Sequence, residues 1–325
     1  MVYTMNEIGR KITDKLIEIF GSADFEIAFL PYKRSMWNSM ESVYDECKAS
    51  GAKVHCMPIP YICLRQNREV DCVKSEFSMF GDKAEPIETL ERADFIAIHY
   101  QYEDHNKVTS LQPQYFTKAL KERYHAKIVF LPYGLSMGNT HFALSPGCRE
   151  VDYAFLEDED NAARFIAAWQ TQGVDFTGRV FPFGSAKMDI ARDCTEKVIP
   201  MEWAESCSNH KVVLVCTSLA AYLSEPLTRL NKYRDCVNRE MDNKHTVIFR
   251  PHPLMRQTIR SMTPSMEEQY EKMMYDFRCR RHERLIVDES EYLERALAVS
   301  DYLISDPSSV VKMWEETHKP YMVIV

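Results

Sequence analysis

Apolar runs of strand length alternate along this chain with segments whose apolar residues recur at helical spacing. Residues 5–20 place Ile8, Ile12, Leu16 and Ile17 on one face and close on Gly21, which predicts an amphipathic first helix. Short apolar runs follow at 25–30, 53–59, 94–99 and 127–131, with helical patterns at 37–49 and 114–124. Such runs, bounded by breakers and not alternating with polar residues, predict strands buried on both faces. Three of them stop at a Pro-Tyr pair: Pro31-Tyr32, Pro60-Tyr61 and Pro132-Tyr133. Proline ends the ladder and leaves a tyrosine at the carboxyl edge of the sheet, either as a packing piece or beside a ligand. A strand at 152–156 and a helix over 158–172, acidic in its first turn as the helix dipole favours, complete the first half.

The second half repeats the alternation. Strands are predicted at 179–183, 211–216, 246–249, 285–287, 302–304 and 321–325, and helices at 225–239, 265–281, 291–299 and 308–317. Strands alternating with helices imply βαβ units and parallel sheets. A chain of 325 residues exceeds one typical core and suits two domains. The loosened stretch 173–178, a glycine at each end, sets the expected boundary: an N-terminal domain over residues 1–174 and a C-terminal domain over residues 175–325. The expected fold class is α/β, two Rossmann-like parallel-sheet domains facing a cleft in a GT-B-like arrangement.

Composition narrows the function classes. The chain is 45% hydrophobic and 27% charged with a net charge of −8, so no basic face calls for nucleic acid, and a phosphate site has to be local. Ten cysteines without a CxxC pair read as reduced thiols of a cytoplasmic protein. No apolar run approaches the ~20 residues needed to span a bilayer. Arg278, Arg280, Arg281 and Arg284 could meet lipid phosphates at about 1 kcal/mol per charge, or simply be a solvated helix end. Peripheral contact with the inner face of the cell membrane is therefore left open. No cofactor or metal is expected, because the one DxD spacing, Asp158-Glu159-Asp160, opens a helix and does not end a strand.

Two strand ends carry the candidate chemistry. The run 246–249 gives way to Arg250, His252 and two prolines, and the run 302–304 gives way to Asp306, Ser308 and Ser309. Open α/β sheets bind ligands beyond such ends. Arg250 offers a planar fork for phosphate. Ser308 and Ser309, opening a helix, offer hydroxyls and backbone N–H groups; Thr217 and Ser218, ending the strand 211–216, are placed to do likewise. A purely structural reading also stands: prolines that stop a strand, and Asp306-Pro307-Ser308-Ser309 as a helix cap.

With these motifs in hand, the chain resembles the CDP-glycerol:poly(glycerophosphate) glycerophosphotransferases, the teichoic-acid polymerase family. The segment 30–39, LPYKRSMWNS, resembles an N-terminal signature of one branch. Gly184-Ser185-Ala186-Lys187-Met188-Asp189 resembles the family's G-[SY]-P-[KR]-x-D turn, with Ala186 for the usual proline. Arg250–Pro253 and Ser305–Ser309 resemble the two C-terminal motifs, Pro307 standing where a tyrosine is commoner. The resemblance implies transfer of glycerol phosphate from CDP-glycerol to a hydroxyl of a lipid-linked or polymeric acceptor, with CMP leaving. It implies donor binding by Arg250, Asp306, Ser308, Ser309, Thr217, Ser218 and Lys187. His252 would give a hydrogen bond or a proton to the bridging oxygen of the leaving group. On the acceptor side it points to Lys33, Arg34, Ser35, Tyr133 and Gly134. The family's His-Gly pair is here Tyr133-Gly134, so the base has to come from elsewhere: His141, or else His99 or Asp104. Val325 also falls at a strand where the family continues, which suits either a short protein or a fragment. CDP-ribitol as donor, a nucleotide-sugar glycosyltransferase and an inactive nucleotide-binding member are the alternatives.

Overall fold

The computed structural model describes residues 6–135, 144–193, 199–280 and 284–324. They form two compact units, one from Met1–Cys63 with Val70–Ile190, the other from Leu64–Glu69 with Ala191–Val325. The expected α/β class with two parallel sheets is what the structure shows.

In the first unit, helix α1 (Glu7–Phe20) turns Ile8, Ile12 and Leu16 inward, as its spacing predicts. Strand β1 (Glu26–Phe29) leads through a 3-10 turn at Arg34–Ser39 into α2 (Glu41–Ser50) and then β2 (Lys53–Cys56). A further excursion forms β3 (Tyr61–Leu64) and β4 (Val70–Lys74) before the chain returns to the sheet as β5 (Phe95–Ile98). Then come β6 (Thr109–Leu111), α3 (Thr117–Tyr124), β7 (Lys127–Phe130), β8 (Tyr153–Phe155), α4 (Glu159–Gln170) and β9 (Val180–Phe181). The main sheet has the order β2-β1-β5-β7-β8-β9, and every pairing in it is parallel. A small sheet β4-β3-β6, antiparallel between β3 and β6, was not expected.

The division between units falls later than residue 174. β9 pairs with β8 (Ala154↔Val180, Phe155↔Phe181) and so belongs to the first sheet. Beyond it, Asp189 accepts the backbone N–H groups of Ile8 at 3.0 Å and Gly9 at 2.8 Å. Asn6, the N-cap residue, makes no side-chain cap bond, so this distant carboxylate satisfies the start of α1 in its place. These bonds keep the segment after Gly178 in the first unit through Ile190.

Helix α5 (Lys187–Asp193) spans the division at residue 190; in the second unit, after α6 (Ala204–Cys207), the chain forms β10 (Val212–Cys216), α7 (Leu219–Ser224), α8 (Pro226–Asp242) and β11 (Thr246–Arg250). It continues as α9 (Met255–Met262), α10 (Glu267–Cys279), β12 (Leu285–Val287), α11 (Leu293–Val299), β13 (Tyr302–Ser305), α12 (Ser309–Glu315) and β14 (Tyr321–Val323). The five strands, in the order β12-β11-β10-β13-β14, pair in parallel throughout. β10 and β11 are buried along their whole length. Tyr233 and Val237 of α8 and Met274 and Phe277 of α10 pack in one core with Val213, Val215, Val247 and Phe249. Burying each such side chain contributes about 1.5–3 kcal/mol, enough to fix the strand ends that carry the polar groups. Every described cysteine is a free thiol. Among the described residues no helix is long and apolar enough to cross a membrane.

Candidate functional site

In the second unit the chain leaves the central strand β10 for β11 and β12 on one side, and places β13 and β14 on the other. Between β10 and β13 the connections diverge, and such switch points open a crevice at the carboxyl edge of a sheet. Register sets the groups level: Cys216 lies opposite Arg250 on one side and Ser305 on the other. Thr217-Ser218, Arg250–Pro253 and Asp306–Ser309 are therefore brought together at one edge.

His252 is held at both backbone and ring. Its N–H donates to Thr217 Oγ1 at 2.9 Å, and its Nδ1 accepts the Leu254 N–H at 3.1 Å. A ring nitrogen that accepts carries no hydrogen, so the neutral imidazole has its proton on Nε2. That tautomer is deduced from the bond, and it makes Nε2 the donor. Thr217 and Ser218 both use an oxygen lone pair locally, Ser218 Oγ accepting the Ala221 N–H at 3.2 Å as the cap of α7. Each keeps its hydroxyl hydrogen for another acceptor. Ser308 occupies the N-cap position of α12 yet makes no side-chain cap bond; its Oγ lies 3.4 Å from Ser305 Oγ. Ser309 is the next residue, half-buried like Ser308.

Two of the assigned residues already have partners within the fold. Arg250 is 5% exposed and already ion-paired: Nη1 donates to Asp288 Oδ2 and, at 3.4 Å, to Ser290 Oγ. Asp288 is itself 3% exposed and also accepts the Ser290 N–H at 3.0 Å. The charge Arg250 brings to the edge is thus largely compensated within the fold. Asp306 is fully buried. It accepts the Ser218 N–H at 2.8 Å, the Tyr233 hydroxyl, and Arg229 Nη1 at 3.2 Å. Burial pushes its carboxyl up, against the three bonds; burial first, and then the bond to Asp306, also raises Tyr233. Asp306 thus ties the β13 end to the β10 loop. Asp288, Ser290, Arg229 and Tyr233 were missed from sequence. Asp288 alone carried a usable signal, an acidic residue directly after a strand end.

The remaining candidates lie in the first unit. Lys187 opens α5 there, 7% exposed, and burial brings its ammonium down to about 8. Lys33, proposed for an acceptor phosphate, is 4% exposed; its Nζ sits 2.8 Å from Glu76 Oε1 and 3.2 Å from the Tyr61 hydroxyl. Arg34 donates its backbone N–H to Glu76 Oε2 at 2.7 Å, and its guanidinium lies 3.8 Å from Glu41. Both residues are held by carboxylates of the fold and anchor the turn that Ser35 shares. His99 is fully buried: Nε2 accepts the Tyr32 N–H at 3.2 Å, and Nδ1 faces Met36 O at 3.3 Å and Ser39 Oγ at 3.4 Å. Burial drives its pKa down to about 3, and with Nε2 occupied it cannot take a proton from a hydroxyl. Asp104 pairs with its exposed neighbour His105 at 2.7 Å. His141 lies outside the described residues. Tyr133 packs near His99, ring centroids 6.2 Å apart. At Gly134 an added Cβ would meet nothing within 4 Å. Asp158 caps α4, accepting the Asn161 N–H at 2.8 Å, as its acidic start predicts. Among the described residues no three His, Cys, Asp or Glu side chains group to hold a metal.

No family model and no curated protein matches the sequence. Solved structures do resemble it. S. aureus MnaA in complex with UDP gives a TM-score of 0.58 at 12% identity, covering 93% of this chain and 79% of that one. UDP-GlcNAc 2-epimerase from Neisseria meningitidis bound to UDP-GlcNAc gives 0.55 at 14% identity, over 91% and 82%. The wall teichoic acid polymerase TagF gives 0.46 at 13% identity, over 98% and 74%, a score that carries no weight for kinship. What these likenesses establish is the fold: this chain is an α/β protein of GT-B-like type.

Proposed function

We propose that the protein is a transferase for a nucleotide-diphosphate-linked polyol, with CDP-glycerol or a related CDP-alcohol as donor. It passes the polyol phosphate to a hydroxyl and releases CMP. The observation that carries this reading is His252. Its Nδ1 accepts a backbone N–H, so the proton of the neutral ring is on Nε2, and this donor at the switch point of a parallel sheet is the one assigned to a leaving phosphate oxygen. CMP departs as an anion, and a donor aimed at its developing charge lowers the barrier. The hydroxyls of Thr217, Ser218, Ser308 and Ser309 supply further donors at the same edge. Arg250, with Nη1 already on Asp288, contributes the rest of its fork. The acceptor is a polymeric or lipid-linked hydroxyl, at the inner face of the cell membrane if it is lipid-linked.

A second reading comes from the neighbours whose names record UDP or UDP-GlcNAc: the same edge could serve a UDP-sugar. Thermal shift separates the two. A ligand present at 100 times its dissociation constant stabilises by about 2.7 kcal/mol. The proposal expects CDP-glycerol and CDP to raise the melting temperature well beyond UDP, UDP-GlcNAc and GDP, with CMP appearing on addition of a hydroxyl acceptor. A larger shift with UDP-GlcNAc supports the second reading, and no shift with any nucleotide removes both.

A further inference from the structure

Lys33, Lys187 and Arg250 are the buried lysine and arginine side chains among the described residues. The fold compensates two of them. Lys33 sits 2.8 Å from Glu76 Oε1, and Arg250 is paired with Asp288. Lys187, in the first unit, is treated differently. It is 7% exposed, yet among the described residues its ammonium makes no hydrogen bond and no ion pair. Burial alone lowers it to about 8, with no carboxylate pulling it back up. At neutral pH the group is therefore mostly charged. A charge withdrawn from water without a partner opposes folding. A fold that pairs its other buried cations and leaves this one alone points to a counter-ion from outside the chain.

The neighbourhood suits an anion. The titrating group that feels the Lys187 charge is His99, just beyond β5, a base and not an acid. Burial first, and then the Lys187 charge against the pull of Met36 O, keep that ring neutral. Ser185, two residues before Lys187 and half-buried, has a hydroxyl that makes no hydrogen bond among the described residues. One uncompensated positive charge is matched by one negative charge, and a lysine meets phosphate oxygens as a point charge. The proposed transfer makes an anion of that kind. When a polyol phosphate passes to a hydroxyl, the hydroxyl oxygen bonds to phosphorus, the bond from phosphorus to the CMP oxygen breaks, and the hydroxyl proton is released. The product is a phosphodiester with a single negative charge. We propose that Lys187 is the counter-ion of a phosphodiester group bound at the first unit, the one made in the preceding transfer when the acceptor is a growing chain. The identity of this ligand rests on the proposed transfer; the need of Lys187 for an anion does not.

The test uses the whole chain with dimethyl phosphate and glycerophosphoglycerol as phosphodiester probes, beside inorganic phosphate and acetate, all at one ionic strength set by chloride. Binding is read from the broadening of the probe resonances in NMR titrations. Wild type should bind a phosphodiester saturably and more tightly than inorganic phosphate or acetate. Lys187→Met keeps most of the side-chain length and removes the charge, so it should weaken phosphodiester binding at least tenfold. Without any probe present the same variant should melt no lower than wild type, because removing an unpaired charge leaves no partner behind. The inference is overturned if no phosphodiester binds saturably, if inorganic phosphate or acetate binds better, or if Lys187→Met binds as wild type does. It is equally overturned if Lys187→Met fails to fold or melts well below wild type, which would reveal a partner for Lys187 inside the fold. Phosphodiester binding with no thermal shift from any nucleotide would leave the Lys187 site standing and remove the proposed transfer; nucleotide binding without phosphodiester binding would do the reverse.

Discussion

Arg250 and Lys33 carry the same lesson at the level of single residues. Both read from sequence as cations available to phosphate, and both are buried beside carboxylates, Asp288 and Glu76, that lie 38 and 43 residues away. Sequence shows that a charge is present but not that a distant partner neutralises it. Removing one member of a buried pair costs about 3–5 kcal/mol, because the other is left uncompensated. Arg250→Ala should therefore unfold at markedly lower denaturant, by roughly that amount, whether or not nucleotide is present. The double variant Arg250→Met with Asp288→Leu should recover much of the loss. Equal stability of wild type and Arg250→Ala in urea titration would show that the pair holds nothing. His99 gives a second measurement. In the folded state its pKa lies near 3, whereas in the unfolded chain it is about 6.5. Between those values only the unfolded chain binds the proton, so stability falls as pH drops from about 6.5 towards 3. The slope from one such group is about 1.4 kcal/mol per pH unit. His99→Gln should lose stability less steeply over that window; parallel curves for the two proteins would contradict the assignment.

At the level of elements, the buried parallel strands were legible because a strand covered on both faces reads as an unbroken apolar run. β7, β10, β11 and β13 were all found near their observed positions. The small sheet was not legible. β4 is largely exposed, and the β3–β4 connection has Asn67 and Arg68 in the left-handed region at φ 58° and 64° with no glycine to announce the turn. The placement of β9 was missed for another reason: a two-residue strand pairs with whichever sheet its neighbours reach, and Asp189 ties the turn beyond it to α1. The motif around Asp189 was visible, but its structural task was not, since the helix it caps lies 180 residues earlier. Asp189→Ala should cost about 1–2 kcal/mol, the range of a lost helix cap. Hydrogen exchange should then speed first at the amides of Ile8 and Gly9; exchange that rises uniformly across the unit would argue against a capping role.

For the whole molecule, the sequence located the candidate donor site better than it assigned the parts. The motifs after β11 and β13 do meet at one sheet edge, because register sets Arg250, Cys216 and Ser305 level. What no local pattern could state is which of those groups are used up inside the fold. Asp306 is and Arg250 partly is, while the tautomer of His252 puts its ring proton on Nε2, the donor that the proposal assigns to a leaving phosphate. The central claim therefore rests on His252, and single-turnover release of CMP from CDP-glycerol tests it most directly. With acceptor in excess and donor binding checked separately, His252→Ala should bind CDP-glycerol as wild type does and release CMP about 10²–10⁴-fold more slowly. CMP release at the wild-type rate from the variant would contradict the account.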